Sequence, residues 1–160
     1  MDFEALENDI VAHLTANIPG SVVTISPVPD SMQNYSEPSD TAKAFVLFTG
    51  EKADVSQSID EVSQHTTLTF NIEVQSQKLR GETGIHTVAE QIKTFLIGYK
   101  LPDCGRLELV SEDYVTVYLD IWEYTLVFST RSLRVQTYFP EDYPDETGAF
   151  ASNVEFNGLD

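Results

Sequence analysis

The sequence predicts a single α+β domain in which helices cover one face of a β-sheet, and three observations predict it. Between Gln64 and Gln75, Leu68, Phe70, Ile72 and Val74 alternate with Thr67, Thr69, Asn71 and Glu73, the period of a strand with one buried face. Directly after a Gly81-Glu82-Thr83-Gly84 turn, Ile85, Val88, Ile92, Phe95 and Leu96 recur at helical spacing. So short a connection obliges the strand and the helix to bury their apolar faces on each other or on one sheet. The 160 residues, 41% of them hydrophobic, suffice for one domain with a sizeable core and leave little room for a second.

The elements follow in order. Asp2 is placed to cap a first helix carrying Phe3, Leu6, Ile10, Val11 and Leu14 on one side, with Glu4 and Glu7 suited to its positive end. Pro19-Gly20 ends it, and Val22 to Ile25 reads as a short strand. Ser26 to Thr41 is a long loop with Pro27, Pro29 and Pro38, whose apolar anchors are Val28, Met32 and Tyr35; loops of this length tend to bind partners. Ala44 to Thr49 is apolar on both faces, as in a central strand, and is expected to end at Gly50. Glu51 to Ser63 is expected to be a second excursion.

The second helix stops at Gly98, with Pro102 beyond it. Arg106 to Val110 starts another strand, which Glu112-Asp113 is expected to interrupt. Val115, Val117, Leu119 and Ile121 then share odd parity, while Trp122, Tyr124, Leu126 and Phe128 share even parity. A uniform strand cannot hold both sets on one face, so a bulge or bend is expected near Asp120 to Trp122, followed by a last strand from Trp122 to Thr130. Beyond it periodicity is lost, and Tyr138, Phe139, Tyr143, Phe150 and Phe156 stand among acids and prolines. The chain therefore divides into a domain at 1–131 and an acidic, aromatic-containing arm at 132–160.

The formal net charge is −17, from 26 Asp and Glu against 9 Lys and Arg. Such a surface repels phosphate backbones and disfavours ordinary nucleic-acid or anionic-membrane binding. It suits a basic partner, or a wall past which nucleic acid slides without sticking. With no secretory h-region and no apolar run long enough to span a bilayer, the chain reads as cytosolic in origin. The one cysteine, Cys104, has no Cys or His at metal-ligand spacing and reads as structural.

Chemistry is sparsely signalled. His13, His65 and His86 complete no triad or metal motif, and Gly81-Glu82-Thr83-Gly84 lacks the lysine of a nucleotide loop. The carboxylate groups worth testing are Glu112, Asp113, Asp120 and Glu123, then Glu141, Asp142, Asp145 and Glu146. Neither set has calcium-loop spacing. No catalytic, cofactor-binding or metal residue is assigned, and no cofactor is expected.

Two segments carry a family resemblance. Leu79-Arg80-Gly81-x-x-Gly84-Ile85, continuing through Ile92-x-x-Phe95-Leu96-Ile97-Gly98-Tyr99 to Pro102, and the later Trp122-x-Tyr124-x-Leu126-x-Phe128, resemble the Mu Gp37-like family of phage tail proteins. Members of that family are similar to tail terminators of contractile-tailed phages. The resemblance covers roughly the first helix through Thr130, and its motifs form the fold rather than a reaction centre.

The resemblance implies helices packed on a mainly antiparallel sheet, and a non-enzymatic structural protein made in the host cytoplasm and carried in the virion at the head-proximal end of the tail. It implies a homohexameric ring that caps tail tube and sheath, docks to a neck or stopper protein, and lets DNA pass without binding it specifically or touching membrane. Within such a ring, Val135, Tyr138, Phe139 and Tyr143 are expected to anchor the arm on a neighbour, and Met32 and Tyr35 to serve the loop's contact. Two other classes compete: an acidic DNA mimic that blocks a DNA-binding protein, and a carboxylate- or metal-dependent hydrolase.

Overall fold

The computed structural model describes residues 1–31, 39–58 and 60–138. Its elements are α1 (Phe3–Asn17), β1 (Val23–Pro27), β2 (Ala42–Ala53), β3 (Ser63–Ser76), α2 (Ile85–Leu96), β4 (Glu108–Tyr118) and β5 (Ile121–Val135). The strands form one five-stranded sheet in the order β1-β2-β3-β5-β4. β1 runs parallel to β2, and every other pairing is antiparallel. This is the α+β fold the sequence predicts.

Register explains which face is buried. Ala44, Val46 and Phe48 of β2 sit beside Val74, Ile72 and Phe70 of β3, which in turn face Tyr124, Leu126 and Phe128 of β5. Both helices pack on this face, with Leu6, Ile10 and Leu14 of α1 and Ile85, Val88, Ala89, Ile92 and Leu96 of α2 buried against it. Asp2 caps α1 by accepting the Ala5 N–H at 3.1 Å. The two helices meet where His13 stacks on Tyr99, ring centroids 3.7 Å apart, and donates from Nε2 to the Phe95 carbonyl at 2.9 Å. The Tyr99 hydroxyl donates to Asp9 at 2.7 Å.

Several boundaries differ from the sequence reading, each for a visible reason. β2 does not end at Gly50. A bulge after Phe48 shifts its register by one, and Gly50 to Ala53 go on pairing with Thr69 to Thr66. Nor is its Ala44 to Thr49 part buried on both faces, since Leu47 stands 42% exposed. The parity change near Asp120 to Trp122 is a hairpin turn rather than a bulge: Leu119 and Asp120 have φ of 49° and 61°, and Tyr118 pairs with Ile121 across them. The bulges lie within β4, between Leu109 and Ser111 and between Tyr114 and Thr116, and Glu112-Asp113 do not interrupt the strand. β5 extends past Thr130, with Ser132 to Val135 paired to Thr66 to Ser63.

Candidate assembly surface

The residues singled out for chemistry are dispersed. On β4, Glu112 lies beside Leu126 on the helix-covered face, whereas Asp113 lies beside Thr125 on the other. Glu123 shares that second face with Gln75, and Asp120 stands in the hairpin turn. Glu112 instead binds Lys93 at 2.6 Å, and Lys93 also pairs with Glu90. Lys93 accordingly holds the Glu112 carboxyl below the usual range. Burial pushes the Glu123 carboxyl up, helped by the neighbouring charge of Glu73. Burial likewise raises the Cys104 thiol, which lowers its reactivity. Among the described residues no three His, Cys, Asp or Glu side chains are grouped to hold a metal.

The Gly81-to-Gly84 turn is a structural knot. Ser76 Oγ donates to the Thr83 carbonyl at 2.7 Å and accepts the Lys78 N–H at 3.1 Å. Gly81 has a φ of 93°, and a Cβ on Gly84 would lie 2.4 Å from the Arg80 carbonyl carbon. Both glycines are therefore required by backbone shape, with no phosphate cradle implied.

What the fold leaves outside is more informative. Among the described residues no helix covers the second face of the sheet, which presents Leu47, Thr67, Thr69, Asn71, Thr125, Val127 and Ser129. Apolar side chains also collect at both ends of the strands. At one end Val62 and Gln136 extend the β3–β5 pairing through Gln136 N–H to Val62 carbonyl at 2.7 Å and Val62 N–H to Gln136 Oε1 at 3.0 Å. Leu133, Val135 and Tyr138 are exposed there by 50%, 46% and 76%. At the opposite end Val117, Tyr118 and Leu119 form an exposed hairpin tip, with Leu119 71% exposed.

Of the residues expected at an interface, Val135 and Tyr138 fall on the first of these ends. Met32, Tyr35, Phe139 and Tyr143 lie outside the described residues, as do Glu141, Asp142, Asp145 and Glu146. Sequence reasoning does not single out the hairpin tip. Its signal is the parity change itself, since an apolar triplet at a reversal must point outward.

Two layers, with helices on one sheet face and, among the described residues, the second face and both strand ends left as surface, define the class: an α+β domain whose distinctive features are surfaces. The chain belongs to the Gp37 protein family, whose model matches residues 10–149. Among solved structures it resembles a chain from the virion of a native gene transfer agent (GTA) particle, at 17% identity and a TM-score of 0.51, over 82% of this chain and 94% of that one. Among curated proteins nothing matches. No helix among the described residues is long and apolar enough to cross a membrane.

Proposed function

We propose that this protein is a structural virion subunit, a tail terminator whose copies close into a hexameric ring capping the tail tube and sheath. The observation that carries the reading is the pairing of family membership with the fold shared with a chain of a virion particle. The ring docks to a neck or stopper protein on its other side and leaves a lumen for DNA. A cyclic ring needs two different patches per subunit that meet head to tail, and the apolar ends of the sheet are two such patches. Stable rings bury on the order of 2,000 Å² per interface.

The arm supplies part of that area. Val135 and Tyr138 stand at its root, and Phe139 and Tyr143 follow in sequence, with Met32 and Tyr35 adding a loop contact. The net charge of −17 gives the lumen an acidic wall, which repels DNA over about 10 Å at 0.1 M salt and keeps it moving. Deleting residues 139–160 tests the arm. The shortened chain is expected to fold, because β5 is complete at Val135, and to lose ring formation and tail capping. Unchanged assembly of the shortened chain would remove the arm from the interface.

A further inference from the structure

The two edges of the sheet are closed to different degrees. β1, at one edge, has 5 residues and ends at Pro27, and beyond it Glu7 accepts the Phe48 N–H at 2.6 Å, so little of that edge can pair further. β4, at the other edge, has 11 residues, and among the described residues no strand lies beyond it. Alternate residues of an edge strand turn their N–H and C=O groups away from the sheet, where an added strand can bond them.

The two sides of this edge differ in chemistry. On the helix side a groove of about 480 Å³ lies between α2 and β4, lined by Glu90, Lys93, Thr94, Ile97 and Leu109. Ile97 is 53% exposed, and Val110, the extra residue of the first β4 bulge, 60%. Lys93 binds both Glu90 and Glu112, so its charge is already met. On the helix-free side Glu108 pairs with Ser129, Ser111 with Val127 and Asp113 with Thr125, which sets two exposed carboxylates on one face of β4. Neither Glu108 nor Asp113 has a cation partner among the described residues.

Charge decides what kind of strand fits. A second β4 would bring the Glu108 and Asp113 of one copy against the same acids of another, and like charges across a strand pair oppose pairing. β1 of another copy carries no Lys or Arg. Residues 32–38, 59 and 139–160, which lie outside the described residues, contain no Lys or Arg either, so none of these segments brings positive charge to the edge.

We propose that the outer edge of β4 takes up, as an added strand, an extended segment of a partner protein in which lysine or arginine alternates with apolar residues. Its apolar side chains enter the groove over Ile97 and Leu109, and its cations meet Glu108 and Asp113 on the opposite face. The two β4 bulges and these acids keep like edges apart and leave a basic strand as the matched partner. The proposal goes beyond the ring reading and holds whether or not copies of the chain close into a ring.

The test uses the full chain and a fluorescent ten-residue peptide that alternates lysine with valine, with binding read by anisotropy. One comparison peptide is N-methylated throughout, which keeps its charge and removes every backbone donor; another carries glutamate in place of lysine. The lysine–valine peptide is expected to bind, and each comparison peptide to bind at least tenfold more weakly. Glu108→Lys/Asp113→Lys is expected to weaken binding at least tenfold, whereas Asp60→Lys/Glu61→Lys, an equal charge change between β2 and β3, leaves it within twofold. Equal binding of the N-methylated peptide, equal losses in the two double variants, or no binding at about 1 mM peptide would overturn the proposal. The peptide series decides even where the edge variant fails to fold.

Discussion

At the scale of single residues, polar side chains complete what the elements leave open. β1 ends at Pro27, and Val28 N–H donates to the Val46 carbonyl; the next β2 donor on that edge, the Phe48 N–H, is taken by Glu7 at 2.6 Å. Phe48 in turn stacks on Phe3 at 3.9 Å, and the Arg134 guanidinium lies 5.7 Å from the Phe3 ring centre while binding Glu51 through two nitrogens at 2.8 and 2.7 Å. Arg134 holds the Glu51 carboxyl below its ordinary range, so the pair's contribution is complete above pH ~4.3 and is lost as pH falls through the depressed folded value. Arg134→Ala is expected to cost about 1 kcal/mol near neutrality, given a bidentate but solvent-accessible pair and one cation–π contact, and the deficit should shrink in urea titrations below pH 4. Tyr99 works in the opposite direction. Burial and its bond to Asp9 push its hydroxyl up to about 12, so stability is full below pH ~10 and declines as pH rises from there through 12. Tyr99→Phe should lose about 1 to 2 kcal/mol at pH 7 and flatten that alkaline decline.

At the scale of elements, periodicity makes both helices and the central strand legible in the sequence. Ile85 to Leu96 and the Leu68-to-Val74 alternation appear where the sequence puts them, because each carries an apolar set that fits a single period. What periodicity cannot supply is the extent of β2 and β5. Gly50 to Ala53 and Ser132 to Val135 hold strand geometry through pairing with β3, a long-range effect with no local pattern of its own. The Leu119-Asp120 turn is legible as a break in parity but not as a reversal, since leucine is a poor residue for a left-handed turn. Leu119→Asn should therefore stabilise the subunit by about 0.5 to 1 kcal/mol, read as a higher midpoint in denaturant titration. Gly84→Ala acts the other way: its Cβ meets Arg80 backbone at 2.4 Å, and overpacking of about 1 to 3 kcal/mol or more should appear as a lower melting midpoint.

At the scale of the whole molecule, the sheet is a plate with helices on one side, and exposed apolar side chains stand at both of its ends. The acids reinforce this division. Glu112 and Glu51 are held by Lys93 and Arg134 within the fold. Glu141, Asp142, Asp145, Glu146, Glu155 and Asp160 follow Arg134 in a stretch with no lysine or arginine. Assembly by apolar contacts under such a charge should strengthen as salt rises, because screening relieves repulsion between copies without weakening apolar burial. The most direct measurement is electron microscopy of the purified full chain, alone and with tail tubes, alongside its mass in solution. Closed sixfold rings seated at tube ends are the expected result; a chain that remains monomeric in both settings, or that assembles into open filaments, would contradict the ring.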